Sequence, residues 1–191
     1  MSDFFSKTDL SRKDAEGIIS ETLNKCDDGE LYLENSKSES IMLDDNKIKS
    51  LSYNSDLGYG LRAVTGEVVA YSHSNEISKD SLKKSADNLS STLKSKKGIY
   101  NHEIPKTNEK FYENINPIEN KSLNSKLELL KEVNNYTRAK GSIVQQVTAS
   151  FAGEHKSVEI IRSNEHEVSP DWLNFVVTSK ARSSIRSALR S

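Results

Sequence analysis

Residues 57–75, LGYGLRAVTGEVVAYSHSN, set the architecture that we expect for this chain. On both sides of a glycine-containing turn, apolar residues alternate with small or polar ones, and this period-two pattern predicts a β-hairpin. Gly58 and Gly60 fall on one face of the first arm, and Arg62 on the same face is the one cation of the hairpin. Because glycine adds no side chain, another backbone or an extended peptide can approach that face closely.

Three short segments before the hairpin also show alternating apolar residues. They lie at residues 31–33, 41–43 and 48–53, and clusters of Asp, Asn and Ser at 44–46 and 54–56 predict turns. Strands this close together leave no room for crossover helices, so we expect an antiparallel meander.

Two helices are expected to flank these strands. The first begins at Ser11, which stands three residues before Asp14 as in a capping box, and the second begins at Ser78. Leucines and an alanine at helical spacing after Ser78 form a stripe wide enough to cover a sheet face. Cys26 lies on the apolar side of the first helix, and because free cysteine is usually a small core residue, we predict that it is buried.

A third helix and two further strands are predicted after a long segment without periodicity. The apolar stripe of this helix comprises Leu123, Leu127 and Leu130. The helix ends at residues 140–141. The strands, at 143–151 and 158–160, are expected to form a β-hairpin with Gly153 in its turn.

Together these patterns predict an α+β fold: an antiparallel β-meander flanked by helices, with the further helix and β-hairpin leading toward a missing second domain. Residues 1–97 form an N-terminal α+β domain, 98–120 a loop, 121–168 the helix plus two strands, and 169–191 a divergent basic tail. The tail is basic from Trp172 onward, but it carries no aromatic stacking platform for nucleic acid.

Composition argues against several classes of protein. The 191 residues are 34% apolar and 29% charged, with a net charge of −1, so no global field recruits nucleic acid or a membrane. No apolar run approaches the roughly 20 residues that span a bilayer, and the N-terminus lacks the apolar region of a secretory signal. The single cysteine excludes an internal disulfide and fits a reducing compartment, so we expect a cytoplasmic protein.

Two His-Glu pairs, at 102–103 and 166–167, resemble the start of a zinc-binding helix motif, but neither is completed. Zinc binding through such a motif needs a second histidine one helical turn later. The corresponding positions hold Lys106, Thr107, Pro170 and Asp171. A proline within each segment also breaks the helix that the motif requires. We therefore predict no catalytic residue and no metal-binding residue in this chain.

Three motifs around the hairpin carry a resemblance to a known family. They are LYLENS at 31–36, SYN at 52–54 and G-x-G-x-R-A-V-T-G-E at 58–67. With them, residues 30–78 closely resemble the N-terminal domain of the TldD branch of the TldD/PmbA family of zinc metallopeptidases. VQQVTASFAGEH, at 144–155, is similar to the family segment that leads into the second half, and the resemblance covers about residues 11–168.

The resemblance implies an activity and partners. Family members pair a TldD-like subunit with a PmbA-like (TldE) subunit and degrade or process small, largely unfolded peptides in the bacterial cytoplasm. Their zinc is held in the C-terminal domain by an H-E-x-x-x-H helix and a distant cysteine, and the glutamate acts as general base. Because this chain lacks that motif, the resemblance transfers no zinc ligand to it; it implies neither a nucleic acid nor a membrane as partner.

The resemblance stops near Pro170, where the acidic residues and the strand pattern also stop. We therefore expect the N-terminal part of a TldD-like zinc metallopeptidase, truncated or frameshifted at that point and inactive alone. Two alternatives stay open. One is a family variant with a genuine alternative tail, and the other is a non-catalytic module that binds peptides or a PmbA-like partner.

Gly58, Gly60 and Arg62 form the candidate surface for approach of a peptide. In this interpretation the glycines admit the peptide backbone and Arg62 meets a carboxylate. The alternative is that Arg62 pairs with Glu67 or another acid across the hairpin, while the glycines mark a bulge or a tight bend.

Overall fold

A computed structural model of the chain describes residues 4–93, 116, 118–142 and 144–162 and the backbone of 175–177. Most of the predicted loop at 98–120 and most of the basic tail at 169–191 lie outside these residues. The two His-Glu pairs also lie outside them.

The described residues form three helices and five strands of one antiparallel sheet. The helices are α1 (Arg12–Leu23), α2 (Lys79–Leu93) and α3 (Leu123–Arg138). The strands are β1 (Asp28–Asp44), β2 (Lys47–Thr65), β3 (Val68–Ser74), β4 (Thr148–Arg162) and β5 (Phe175–Val177). The strand order is β3-β2-β1-β4-β5. The predicted α+β class, an antiparallel sheet flanked by helices, is therefore confirmed.

The strands are longer and fewer than the sequence patterns predicted. β1 and β2 each run without a break through segments where we predicted a polar interruption or, at 54–56, a turn. Residues 47–57 of β2 are all exposed, and the predicted turn at 54–56 is wrong because these residues stay extended within the strand. The turn between β1 and β2 is at Asp45-Asn46, where φ values of 49° and 63° suit a tight two-residue hairpin.

The predicted hairpin after α3 is also wrong, because one long strand takes the place of the two short ones. β4 is one strand that includes Gly153, and its residues Glu154–Lys156 pair with β5. The positive-φ glycines among the described residues are Gly66 and Gly141. Gly153 therefore supplies no left-handed turn, and an isolated glycine in a strand does not end it.

The chain divides into two compact units, and the division falls within β1, β2 and β4. Unit 1 comprises Met1–Asn35, Asp56–Glu113 and Ser157–Asn174. Unit 2 comprises Ser36–Ser55, Asn114–Lys156 and Phe175–Ser191.

Unit 1 has an extensive apolar core between its helices and one face of the sheet. Buried leucines of β1 and β2, including Leu31 and Leu61, pack with the inner faces of α1 and α2. Both helix starts are as predicted, because Ser11 and Ser78 accept hydrogen bonds from backbone N–H groups of the first turn. Cys26 is buried in this core, as predicted.

Unit 2 has a smaller apolar cluster in which α3 packs on the sheet. The buried members are Ile41, Leu43, Leu130 and Ala149. The predicted stripe of α3 is partly wrong, because Leu123 is exposed while Lys126 is only 5% exposed. Lys126 Nζ donates to Glu39 Oε2 at 2.8 Å and to the Ile118 carbonyl at 2.6 Å, and this pairing lets a cation occupy a core position.

Candidate functional site

The candidate site lies on the outer face of the unit 1 sheet, the face opposite the helix-covered core. Alternation along each strand fixes which side chains point there, since successive residues point to opposite faces. The outer face carries Asp28, Glu30, Tyr32 and Glu34 from β1, Gly58, Gly60 and Arg62 from β2, and Tyr71 and His73 from β3. In the β2–β3 register, Gly60 stands opposite His73 and Arg62 opposite Tyr71.

An open pocket of about 230 Å³ occupies part of this face, and we call it the outer-face pocket. Its lining side chains come from three adjacent strands and the residues next to them: Tyr32, Glu34, Asp56, Leu57, Tyr59, Tyr71, His73, Ser74 and Asn75. Gly58 and Gly60 also line it.

Two of the three predicted site residues, Gly58 and Gly60, thus lie together in the pocket. A Cβ atom on Gly58 would lie 2.8 Å from the Ser74 carbonyl oxygen, and one on Gly60 would overlap the phenol oxygen of Tyr71. The absence of side chains at Gly58 and Gly60 therefore makes room for groups of the neighbouring strand β3.

Arg62, the third predicted residue, does not line the pocket. Its Nη1 lies 2.9 Å from Asp28 Oδ2, so the guanidinium is paired with an acid of β1 rather than with Glu67. Arg62 thus pairs with another acid, as the alternative expectation held, but this acid lies on β1 and not across the hairpin. The pair is half-exposed, and we assign it no peptide contact.

The backbone of the first hairpin arm is not at the sheet edge. β2 lies between β3 and β1, and its residues from Tyr59 to Thr65 pair with β3. Main-chain capture by strand addition requires an exposed edge, so a peptide can reach Gly58 and Gly60 only across the outer face.

The pocket is lined by aromatic rings and carboxylates. Tyr32 Oη donates to Glu34 Oε2 at 2.6 Å. Burial, followed by this hydrogen bond, raises the pKa of Tyr32 well above its ordinary value, so the phenol stays neutral. The rings of Tyr71 and His73 are stacked, with centroids 5.8 Å apart. No lysine or arginine is among the lining residues of this described pocket.

Sequence reasoning did not single out Tyr32, Glu34, Tyr71 and His73. A signal for them exists, because they are the outward positions that alternate with the buried residues of β1 and β3. What the sequence does not show is the pairing of strands that brings the two tyrosines beside the glycines.

The described residues do not fit a zinc site. No three His, Cys, Asp or Glu side chains among them are grouped so that they can hold a metal ion. His73 stacks on Tyr71, and Cys26 is buried, where desolvation raises the pKa of its thiol. We therefore assign no metal ligand among these residues.

Among the described residues, no helix combines the length and apolar character that a membrane crossing requires.

Comparisons with known proteins identify the family. The sequence model of the PmbA/TldA metallopeptidase domain 1 family matches residues 29–92. A protein named metalloprotease TldD homolog from Buchnera aphidicola subsp. Acyrthosiphon pisum is 34% identical over 144 residues, which cover 75% of this chain and 30% of that protein. The homolog from Haemophilus influenzae is 31% identical over 144 residues, covering 72% of this chain and 29% of that protein.

Solved structures show the same fold. A proposed modulator of DNA gyrase from Bacteroides thetaiotaomicron matches with a TM-score of 0.62 at 18% identity, covering 85% of this chain and 38% of that one. TldE from Thermococcus kodakarensis matches with a TM-score of 0.53 at 14% identity, covering 84% and 36%. At these identities the likeness establishes the fold alone.

The match to the curated relatives spans about 30% of their length. It includes the hairpin with its two glycines, which lies within the matched first domain. The chain therefore belongs to the PmbA/TldD metallopeptidase family, whose first domain it carries at residues 29–92.

Proposed function

We propose that this chain is the N-terminal part of a TldD-like zinc metallopeptidase that acts in proteolysis of small or unfolded peptides. The observation that carries the proposal is the 34% identity over 144 residues to a protein named as a TldD metalloprotease homolog. The domain-1 match at residues 29–92 supports the same assignment.

In this proposal the first domain binds and does not hydrolyse. The described residues supply no metal-ligand set, so we place the zinc of the family enzyme outside them and propose that the chain alone is inactive. What these residues offer instead is the outer-face pocket, which Gly58 and Gly60 help to line and which has side-chain acceptors and donors around it.

The proposed partners are a PmbA/TldE-like subunit and peptide substrates, in the cytoplasm. The likeness in fold to TldE of Thermococcus kodakarensis supports a family in which related chains share this architecture. Neither nucleic acid nor membrane is part of the proposal, and the net charge of −1 supports leaving them out.

The second candidate function is a non-catalytic module that binds peptides or a PmbA-like partner. The open, aromatic-lined pocket favours it, because this site can act without any metal. A module of this kind would regulate a full-length enzyme by occupying its partner subunit or its substrate.

A competition experiment tests the proposed function. The full chain is added in excess to a complete TldD-like enzyme with its PmbA/TldE-like subunit, and hydrolysis of a fluorogenic unfolded peptide is followed with and without EDTA. We expect the chain alone to hydrolyse nothing, and to lower the EDTA-sensitive rate of the complete enzyme by competing for the subunit. EDTA-sensitive hydrolysis by the chain alone would contradict the assigned role, and an unchanged rate would contradict the partner assignment.

A further inference from the structure

We propose that the free edge of β2 in unit 2 is a pairing surface for a second copy of this chain. The edge comprises residues 47–55, and we call it the β2 edge. In the proposed dimer, the β2 edges of two copies pair as antiparallel strands across a two-fold axis. The inference goes beyond the proposed function and does not rest on it.

The β2 edge is open along its backbone. The sheet neighbours of β2 are β1 on one side and β3 on the other, but the described pairing with β3 runs from Tyr59 to Thr65. On the β1 side, Asn54 Nδ2 donates to Ser38 Oγ at 3.5 Å. On the opposite side, the structure describes no strand beside residues 47–55. The backbone N–H and C=O groups of such an edge form a template for a further strand.

The side chains of the β2 edge are also uncovered. All of its residues are exposed, among them the apolar Ile48, Leu51 and Tyr53. Leu51 and Tyr53 stand two positions apart, so they point to the same face of the strand. A partner strand on this edge would remove part of their apolar surface from water, which favours association.

The distribution of charge selects a second copy, in antiparallel orientation, as the occupant. Lys47 and Lys49 both lie at the start of the edge, and residues 50–55 carry no charge. Parallel pairing of two copies in register would place like charges side by side. Antiparallel pairing instead places the lysines of each copy beside the uncharged end of the other. The net charge of −1 adds little repulsion between whole copies.

A two-fold axis at Ser52 matches the side chains of the two edges. Leu51 of each copy then lies directly opposite Tyr53 of the other, and Lys49 lies opposite Ser55. Aromatic and aliphatic side chains that stand directly opposite each other stabilise an antiparallel pair. The dimer thus contains two equivalent contacts between Leu51 and Tyr53, and because each copy uses its own β2 edge in the same way, association ends at two chains.

Sedimentation equilibrium of the full chain over a range of concentrations tests the proposal. An interface of one added strand pair belongs to the weak class that buries less than about 1,200 Å². We therefore expect a reversible, concentration-dependent rise of the average mass from 21.4 kDa toward that of two chains. An average mass that stays at one chain at every concentration, or that grows past two, would overturn the proposal.

A matched pair of variants localises the contact. Leu51→Lys should weaken association about tenfold, since both equivalent contacts are lost. Leu129→Lys is the control, because Leu129 is 49% exposed, close to the 47% of Leu51, and lies on α3 of the same unit. Its association should equal that of the unmodified chain, and circular dichroism melts confirm that both variants fold. Equal weakening by the two variants would overturn the β2 edge as the interface.

Complementary charges test the register. Leu51→Glu and Tyr53→Lys are purified as separate variants, each of which should associate weakly because its self-pair loses both contacts. In a mixture of the two, the new carboxylate lies opposite the new ammonium group, and the second contact is the original one between Leu51 and Tyr53. The mixture should therefore associate several-fold more tightly than either variant alone. No gain on mixing would overturn the proposed pairing, whereas the competition with the complete enzyme still decides the proposed function.

Discussion

Unit 1 and unit 2 achieve burial by different means. In unit 1, eighteen of the described residues form one hydrophobic cluster beneath the sheet face that α1 and α2 cover. In unit 2, the corresponding cluster has four buried residues, and a nearly buried ion pair between Lys126 and Glu39 stands beside α3. Because the apolar core of unit 1 lies on the helix-covered face of the sheet, the outer face is not needed for stability and can remain open for a ligand.

The largest expected effect is in unit 2. Lys126→Ala leaves the carboxylate of Glu39, whose side chain is 12% exposed, without its cation. Removing one partner of a buried pair typically costs about 3–5 kcal/mol, so urea unfolding should show a loss of this size. The double variant Lys126→Met/Glu39→Leu is the control. Because it removes both charges and keeps apolar volume, it should recover most of the loss; a double variant as unstable as the single one would contradict the account.

The second prediction concerns the glycines of the outer face. Gly58→Ala places a Cβ 2.8 Å from the backbone oxygen of Ser74, and strain of this kind costs about 1–3 kcal/mol. Gly60→Ala meets only the end of the Tyr71 side chain, which can rotate away, so stability should change less while the pocket is partly filled and peptide binding falls.

Gly17→Ala in α1 is the matched control for both glycine variants. Apart from its chain neighbours and the backbone of its own helix, no described heavy atom lies within 4 Å of the added Cβ, so the helix should gain up to about 1 kcal/mol. Thermal melts and peptide anisotropy on the three variants measure both effects. Equal destabilisation by Gly58→Ala and Gly60→Ala would contradict the geometry of the pocket floor.

The third prediction is a pH response of unit 2 near neutrality. Burial, followed by the positive charge of Lys37, lowers the pKa of His155 below its ordinary value of 6.5, while Glu119 opposes the shift. The unfolded chain therefore binds a proton more readily than the folded chain, and stability should fall as the pH drops below about 6.5. His155→Gln should flatten this dependence in urea unfolding between pH 7.5 and 5. An unchanged slope would show that another group titrates.

The smallest effect is an acid response of unit 1. The hydrogen bond from Lys79, followed by that from Ser11, lowers the pKa of Asp14 from 3.8 to about 2. Its contribution to stability is therefore present above about pH 4 and is lost as the pH falls toward 2. The side chain of Asp14 is 35% exposed, so solvent screening keeps the effect small. Asp14→Asn should reduce the change in urea midpoint between pH 4 and 2, whereas the exposed Asp80→Asn should not.

Local hydrogen bonding made the helix starts predictable from the sequence. Ser11 and Ser78 accept bonds from backbone groups within three residues of themselves, so no distant part of the chain is needed. The burial of Cys26 followed from the usual place of a free cysteine in a core, although α1 ends at Leu23 and Cys26 lies beyond it. The glycine face of the hairpin was also visible, since Gly58 and Gly60 alternate with core residues.

Features that depend on distant partners were not predictable. Arg62 is paired with Asp28, 34 residues earlier, and Tyr32 reaches the pocket through the pairing of β1 with β2. In α3, Lys126 occupies a core position because Glu39 neutralises it, which no hydrophobic pattern indicates. The continuity of β2 was missed because the polar residues at 54–56 resemble a turn in the sequence but stay extended in the strand.

The central claim is that the first domain binds peptides through its outer face, and chemical-shift mapping tests it most directly. The isotope-labelled full chain is titrated with an unfolded peptide, and amide shifts are followed. The account predicts the largest changes at Gly58, Gly60, Tyr71 and His73. Changes confined to the exposed residues 47–55 of unit 2, or no saturable change at all, would contradict it.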